Sequence, residues 1–251
     1  MATVLSGASD AESMHYLLQN LMSSDNNVRI RSELTFKHMM ESNPDAFLFS
    51  LIQIALNDSL ELAVRQASLL HLKRAVPLYW SPAFDNFRGP NTINQEVKQT
   101  LRESLLKLIG DPDSKIRSSS GYAIVQIAAV DYPDEWPTLM DRLYSSTTNP
   151  QYSVYEIIGS LYVMQEIFDD VVTDEQFFEQ GIAVQVLKTC EMLLEGVNYN
   201  LEIKVETLRL LQVVCNSLVD VDLEIPSRES FCHAVVPQIY QLLLNISRTV
   251  S

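Results

Sequence analysis

The apolar residues of this chain recur at the spacing of α-helices rather than that of strands. Between residues 14 and 22 they fall at i, i+3, i+4, i+7 and i+8, which forms one stripe on a helix face: Met14, Leu17, Leu18, Leu21 and Met22. Ser9 with Glu12 three residues later fits a capping box, so this helix is predicted to begin near residue 9. No stretch alternates polar and apolar residues as a half-buried strand would. The pattern predicts an all-α protein.

Four of the predicted helices share a short string, which we call the repeat string. It consists of Ile or Val, a basic residue, two variable residues, and Ser or Thr, with a large apolar residue eight positions after the first. The strings begin at Val28, Val64, Ile116 and Ile203. The two apolar positions are expected in the core, the hydroxyl permits close helix approach, and the basic side chain can reach a loop carboxylate or a carbonyl of the next repeat. Stacked helical repeats usually bind other macromolecules.

The spacing of the strings indicates the type of repeat. With Val154 as the equivalent position of a fourth unit, the intervals are 36, 52, 38 and 49 residues, near 44 on average. This length fits HEAT or armadillo units and exceeds that of tetratricopeptide units. Val154 is followed by Tyr155 instead of a basic residue, so this unit departs from the string. We predict a single right-handed α-solenoid of about five HEAT repeats plus the start of a sixth, with units at about 9–41, 43–80, 91–131, 132–170, 173–219 and 226–251.

Prolines and capping strings predict three local features. The segment from Pro77 to Thr92 is predicted to be a long loop with aromatic anchors. Pro133 is predicted as the first residue of a helix, because proline suits that position. Thr173 with Gln176 fits a capping box and is predicted to begin one continuous helix that ends near Leu194.

Composition narrows the class of protein. The hydrophobic content of 47% in 251 residues excludes a disordered chain, and the longest apolar runs stay well short of the roughly 20 residues that a membrane span needs. The three cysteines form no Cys-x-x-Cys pair, and the first residues do not have the pattern of a signal peptide. We therefore expect a reducing compartment, the cytosol or the nucleus.

The charge is concentrated in the second half of the chain. Residues 1–130 carry 12 basic and 13 acidic side chains, whereas residues 131–251 carry 6 and 19. Such a field repels nucleic acid and attracts basic proteins, although a solvated acidic face is an equally good interpretation. The densest group, which we call the acidic cluster, comprises Glu166, Asp169, Asp170, Asp174, Glu175 and Glu179.

The acidic cluster is a candidate surface for a basic partner. Glu166 and Asp170 repel each other at i and i+4, and carboxylates at a helix C-terminus oppose the helix dipole. A surface that keeps its carboxylates despite this repulsion and the opposing helix dipole can use their negative charge to bind a partner. Equally, Asp174 and Glu175 can simply favour the N-terminus of the next helix.

Residue patterns for chemistry are missing from the sequence. The four histidines lie in no His-Glu-x-x-His string, and no cysteine and histidine group has zinc spacing. There is no Gly-x-Ser-x-Gly elbow, phosphate loop or dinucleotide fingerprint. We therefore expect no catalytic residues, no metal and no cofactor, and we expect that the protein is not an enzyme.

Two segments go beyond a generic helical repeat. Residues 129–137 have the sequence Ala-Val-Asp-Tyr-Pro-Asp-Glu-Trp-Pro, and residues 65–74 have the sequence Arg-Gln-Ala-Ser-Leu-Leu-His-Leu-Lys-Arg. The first resembles the Pro-x-x-Trp-Pro signature of the karyopherin-β (importin-β) family. The second resembles the importin N-terminal domain, expected here at about 29–107. The signature residues are Tyr132, Pro133, Trp136, Pro137 and Trp80. Residues 79–84 and 166–179 resemble the fungal receptors of the importin-9 type.

The resemblance implies the N-terminal part of a nuclear import receptor that shuttles between cytoplasm and nucleus. It implies that second helices bind the GTPase Ran in its GTP form through side chains expected to be exposed, Lys37, Lys73 and Arg74, although the family's Leu-Lys-Asn string is Leu72-Lys73-Arg74 here. It implies basic cargo, such as histone H2A–H2B and the TATA-binding protein, for which the acidic cluster is the candidate. It also implies phenylalanine-glycine nucleoporins as partners, bound between outer helices, and neither direct nucleic-acid binding nor a membrane.

Some residues are assigned to structure instead. The arginines of the repeat strings, Arg29, Arg65 and Arg117, are interpreted as structural, and Trp80 and Trp136 as core anchors. The alternative function is a HEAT-repeat scaffold subunit that binds basic protein partners without regulation by Ran.

Overall fold

The computed structural model describes the backbone of residues 2–149, 151–219 and 226–249. It describes side chains in these ranges except at residues 2–10, 174, 175, 179, 218, 219, 226–231 and 246–249. The described backbone contains twelve α-helices and no strand: α1 (Ala2–Leu21), α2 (Asn26–Ser42), α3 (Pro44–Leu56), α4 (Leu62–Tyr79), α5 (Gln95–Leu108), α6 (Ser114–Asp131), α7 (Leu139–Thr148), α8 (Val154–Asp170), α9 (Asp174–Glu179), α10 (Ile182–Glu195), α11 (Leu201–Val219) and α12 (Pro226–Thr249). None of these helices combines the length and the apolar character that a membrane span requires.

The helices form two compact units, Met1–Asp131 and Tyr132–Ser251. In the first unit α1 packs on α2, α3 on α4, and α5 on α6. In the second unit α7 packs on α8, and α10 on α11. We call the two members of each pair its first and second helix. Second helices also pack on second helices of neighbouring pairs, α4 on α6 and α8 on α11, so each unit contains stacked helix pairs.

The repeat strings lie in second helices, and their apolar positions are buried as predicted except for Val28, which is only half-buried because it lies in the first turn of α2. Val64, Ile116 and Ile203 are buried, which removes their side chains from water. The hydroxyls of Ser120 and Thr207 donate to backbone carbonyls four residues earlier at 2.8 and 2.7 Å, and both side chains are buried. The core assignment is therefore confirmed for these strings.

The arginines of the strings hold the turns between first and second helices. Arg65 donates through Nε to the carbonyl of Ala55 at 2.9 Å and pairs with the carboxylate of Asp111, in the turn of the next pair. Arg117 donates to the carbonyls of Asp111 and Pro112, both at 2.8 Å. The prediction that these side chains reach a loop carboxylate or a carbonyl is confirmed.

Trp80 directly follows α4 and is buried in the first unit. Its side chain is fully buried, and its indole nitrogen donates to a carboxylate oxygen of Asp131 at 2.8 Å. The same carboxylate pairs with Arg102 of α5, and the ammonium of Lys98 lies 5.2 Å from the Trp80 ring centroid. Burial suits charged groups only when they are paired. The predicted role of Trp80 as a core anchor agrees with this environment.

Two predicted helix boundaries in the first unit are wrong. Helix α1 begins at Ala2 and not near Ser9, because each residue added to an existing helix gains a hydrogen bond that a cap alone does not outweigh. Pro77 lies inside α4 and not in the loop. It falls in the last turn, where the helix loses one hydrogen bond and is closed by the Trp80 amide, which donates to the carbonyl of Val76 at 2.9 Å.

Two further boundaries are wrong in the second unit. Helix α7 begins at Leu139 and not at Pro133, because Pro137 disfavours helical backbone at the preceding residue, Trp136. The helix predicted to continue from Thr173 to about Leu194 is divided into α9 and α10. Gly181 separates them with φ of 78°, a left-handed conformation that glycine adopts without a Cβ clash.

Candidate protein-binding surfaces

The three cations predicted to bind Ran lie on second helices of the first unit. Lys37 of α2 is exposed and forms an ion pair with Glu41 at 3.8 Å, between side chains that are both mostly exposed. Arg74 of α4 is exposed. Lys73 was expected to be exposed, but it is half-buried because its ammonium lies 4.5 Å from the centroid of the Tyr122 ring on α6. This cation–π contact fixes the position of the charge.

A pair of rings lies beside these cations and connects α2 with α4. The ring of His71 packs against Phe36 with the centroids 4.5 Å apart. Burial, with a smaller contribution from the positive charge of Arg74, lowers the pKa of His71 to about 4. The imidazole is therefore neutral near pH 7, which leaves the charge on this face to the lysines and arginine.

An apolar groove lies between α10 and α12 in the second unit. Its volume is about 290 Å³, and charged side chains are confined to two of its positions, Lys188 and Glu191. The remaining lining residues are apolar except for one glutamine: Val184, Leu187, Ala234, Val235, Gln238, Ile239 and Leu242. The groove can accept an apolar side chain of a peptide. These residues cannot be grouped from the sequence, because they become neighbours only when α12 packs against α10.

The acidic cluster lies where α8 ends and α9 begins. Asp169 and Asp170 are exposed and Glu166 is half-buried. The other three side chains are not among those that the structure describes: Asp174, Glu175 and Glu179. The hydroxyl of Thr173 accepts the Gln176 amide at 3.3 Å, and the Gln176 side chain accepts the Thr173 amide at 3.1 Å. The predicted capping box at the start of α9 is therefore confirmed.

Four of the five signature residues follow α6 and differ in burial. Trp136 is buried, as a core anchor requires, whereas Tyr132 and Pro133 are half-buried and Pro137 is exposed. Burial, followed by the nearby carboxylate of Asp141, raises the pKa of Tyr132. The segment thus packs its tryptophan inward.

The described side chains give little sign of reactive chemistry. Burial raises the pKa of the Cys190 thiol to about 12 and also raises that of Cys215. A thiol with a raised pKa is a poor nucleophile at neutral pH, because the thiolate is the reactive form. Within the described part of the chain, His, Cys, Asp and Glu side chains form no group of three or more that could hold a metal ion.

Known proteins share both a domain and a similar sequence with this chain. Residues 40–111 match the Importin-beta N-terminal domain. Importin subunit beta-5 of Saccharomyces cerevisiae is 32% identical over 237 residues, which cover 92% of this chain and 23% of that protein. Importin-9 of Drosophila melanogaster is 31% identical over 203 residues, which cover 80% of this chain and 19% of that protein. The chain therefore spans about a fifth of the length of these relatives.

Solved structures share the fold at lower identity. Yeast importin-beta (Kap95p) superposes with a TM-score of 0.71 at 18% identity, covering 92% of this chain and 27% of that one. In a related structure, with a TM-score of 0.69 and 18% identity over 92% of this chain and 27% of that one, Kap95p binding induces the switch loops of RanGDP to adopt the GTP-bound conformation. Another structure is a Kap95:Nup1 complex, with a TM-score of 0.70 and 18% identity over 91% of this chain and 27% of that one.

The fold thus defines an all-α repeat protein of the HEAT class, as predicted from the string spacing. The matched domain and the similar sequences identify the protein family more specifically than the fold does. The chain belongs to the karyopherin-β (importin-β) family.

Proposed function

We propose that this chain is the N-terminal part of a nuclear import receptor, which binds Ran in its GTP form and basic cargo and shuttles between cytoplasm and nucleus. The observation that carries the proposal is the importin-beta N-terminal match at residues 40–111, which contains the whole of α3, α4 and α5. Helix α4 supplies two of the three candidate Ran-binding cations. That Kap95p acts on the switch loops of RanGDP supports the same partner for this chain.

Exposed cations on adjacent second helices can form ion pairs with carboxylates of a protein partner. Lys37 and Arg74 are available at the surface, and the contact with Tyr122 holds Lys73 in one place. Exposed pairs contribute more to the association rate and to its salt dependence than to affinity. Binding through this face should therefore weaken as salt rises.

The direct test compares the two nucleotide states of Ran. The chain is immobilised, and its affinity for Ran loaded with GTP or with GDP is measured at several salt concentrations. We expect tighter binding of the GTP form, and we expect Lys37→Gln with Arg74→Gln to weaken it. Lys115→Gln is the matched control, because Lys115 is exposed at the start of α6. Absent binding, or equal binding of both forms, would contradict the proposal.

The proposed cargo is a basic protein such as histone H2A–H2B or the TATA-binding protein. Support comes from the excess of 19 acidic over 6 basic residues in 131–251 and from the exposure of Asp169 and Asp170. Carboxylates exposed at the end of a helix can pair with lysine and arginine of a partner. The acidic cluster is the surface that we propose for this contact.

The apolar groove is the proposed site for phenylalanine-glycine nucleoporins. Its apolar lining suits a phenylalanine ring, and the Kap95:Nup1 complex supports this class of partner. Val184→Asp, at a lining residue that is 43% exposed, should abolish binding of a phenylalanine-glycine peptide. Leu201→Asp is the control, because Leu201 is exposed on α11 and does not line the groove. Equal affinity of both variants would exclude the groove.

A further inference from the structure

A second groove borders α10, between this helix and α7. Its volume is about 470 Å³, and every side chain that lines it carries a polar atom except Met192. On α7 the lining positions are spaced i, i+3, i+4 and i+7, which places them on one face of the helix: Asp141, Tyr144, Ser145 and Thr148. We call this the polar groove. Its composition contrasts with that of the apolar groove between α10 and α12 and suits a different ligand chemistry.

Hydroxyl oxygens supply the polar groove with hydrogen-bond acceptors. Ser145, Thr148 and Thr189 each donate to the backbone carbonyl four residues earlier, at 2.7, 3.1 and 3.0 Å. A hydroxyl whose proton is used in this way keeps lone pairs that accept. These oxygens can therefore accept from the amide N–H or hydroxyl groups of a bound chain.

Tyr144 supplies a donor to the same groove. Its side chain is 6% exposed, and its hydroxyl is buried without a hydrogen-bond partner among the described residues. Burial is the largest of the effects that raise the pKa of Tyr144, so the phenol stays protonated near neutral pH. A buried hydroxyl without a partner is unfavourable, because it has lost its bonds to water and gained none. A carbonyl of a bound chain would supply the missing acceptor.

The polar groove and the apolar groove meet at Lys188, which lines both. On α10 the lining positions of the polar groove follow those of the apolar groove by one residue, as Gln185 follows Val184, so the two grooves occupy adjacent faces of the helix. A helix is about 10–12 Å across, and an extended chain advances about 3.3–3.6 Å per residue. About three residues of a bound peptide are therefore enough to pass from one groove to the other.

The charges of the polar groove cancel. Asp141 contributes one carboxylate and Lys188 one ammonium, and neither forms an ion pair with another described side chain. A peptide segment with a net charge of either sign would be attracted by one of these groups and repelled by the other. Uncharged polar residues such as serine, threonine and asparagine avoid this repulsion and carry both donors and acceptors. The polar groove therefore favours an uncharged polar segment.

We infer that the polar groove is a second subsite of the peptide site at α10, which binds the uncharged polar residues next to the phenylalanine held by the apolar groove. The inference rests on the proposed binding of phenylalanine-glycine segments and adds a determinant that selects among them by their flanking sequence. In this arrangement the hydroxyl of Tyr144 and the ammonium of Lys188 donate to peptide carbonyls. The other hydroxyls of the groove and the carboxylate of Asp141 accept from peptide donors.

Two fluorescent peptides test the inference on the whole chain. One contains Phe-Gly alone between blocked ends, and the other carries six serine and asparagine residues on each side. We expect the flanked peptide to bind about tenfold more tightly, as measured by fluorescence anisotropy. Tyr144→Phe and Thr148→Val should each reduce this difference about threefold without changing the affinity for the short peptide.

Tyr152→Phe is the matched control, because Tyr152 belongs to the same unit and does not line the polar groove. This variant should retain the full difference between the two peptides. Tyr144→Phe should also leave the thermal unfolding midpoint at or above that of the wild type, because the hydroxyl that it removes has no partner among the described residues. A lower midpoint would show that the hydroxyl serves the packing of the unit, and would count against the inference.

The outcomes separate this inference from the proposed function. If neither peptide binds the wild-type chain, the proposed nucleoporin site fails and the inference fails with it. If both peptides bind with equal affinity, or if Tyr144→Phe and Thr148→Val keep the full difference, the inference alone is overturned. Flanks of lysine or of glutamate that bind as tightly as the serine and asparagine flanks would also overturn it, because the polar groove would then not select uncharged residues.

Discussion

Trp80 and Asp131, 51 residues apart, are joined by a buried hydrogen bond of 2.8 Å from the indole nitrogen to the carboxylate. Trp80 lies at the end of α4 and Asp131 at the end of α6, while Arg102 of α5 pairs with the same carboxylate. One carboxylate therefore ties together three helices of the first unit. A contact of this kind specifies which helix ends meet, because an alternative packing would leave charged groups buried without partners.

Substitutions of Asp131 and Trp80 should lower the free energy of unfolding by different amounts. Asp131→Ala should lower the free energy of unfolding by about 3–5 kcal/mol, because it removes the carboxylate that pairs with the buried Arg102. Trp80→Phe should cost less, about 1–3 kcal/mol, because the Asp131–Arg102 pair remains. Urea unfolding followed by far-UV circular dichroism measures both, with the exposed Asp134→Asn as the control. Equal costs for the two substitutions would show that the carboxylate is not the centre of the contact.

His71 should make the protein less stable in acid. Its pKa is about 4 in the folded chain against 6.5 for the free side chain. The unfolded chain therefore binds a proton that the folded chain does not as the pH falls from about 6.5 to about 4. The stability contribution is complete above pH 6.5 and is lost across that range, by about 1–3 kcal/mol.

The measurement is the midpoint of urea unfolding between pH 7.5 and 4. His71→Phe keeps an aromatic ring against Phe36 and removes the titrating group, so its stability should fall less steeply with acid than that of the wild type. His38→Phe, at an exposed residue of α2, should follow the wild-type curve. Identical slopes for His71→Phe and the wild type would exclude His71 as the source of the acid sensitivity.

Gly181 should be sensitive to any side chain because of its backbone conformation. Its φ of 78° is unfavourable for a residue with a Cβ, while no atom beyond the adjoining residues lies within 4 Å of the position where a Cβ would stand. Gly181→Ala should therefore lower the free energy of unfolding by about 1–2 kcal/mol through the backbone alone. Gly181→Asn should cost less, because asparagine tolerates the left-handed region. Thermal unfolding distinguishes the two, and an equal or larger loss for asparagine would argue against this explanation.

Neutralising the acidic cluster should weaken the binding of a basic cargo. Replacement of Asp169, Asp170, Asp174 and Glu175 by their amides should lower the affinity for histone H2A–H2B and flatten its salt dependence. Helicity should stay near that of the wild type, which circular dichroism can verify. The control replaces the exposed Glu195 and Glu202 by glutamine. An unchanged affinity and salt dependence would remove the acidic cluster from the cargo surface.

The sequence was sufficient to predict the elements that depend on local periodicity. Val64, Ile116 and Ile203 were assigned to the core from spacing alone, because burial along a helix repeats every three to four residues. Boundaries were less predictable where two local preferences compete. Pro133 suits a helix start, but Pro137 four residues later disfavours helical backbone at Trp136, and the helix starts at Leu139.

Contacts between distant segments could not be obtained from the sequence. The half-burial of Lys73 depends on Tyr122, 49 residues later, and the apolar groove depends on the approach of α12 to α10. Neither follows from periodicity, which describes one helix at a time.

Arg65 contacts two successive helix pairs, and this affects how the first unit unfolds. This side chain binds a carbonyl of its own helix pair and a carboxylate in the turn of the following pair. Disorder in either pair would break a bond that the other needs, so the two cannot melt independently at low cost. The pairs α3–α4 and α5–α6 should consequently unfold in a single cooperative transition, because the contacts of Arg65 connect them.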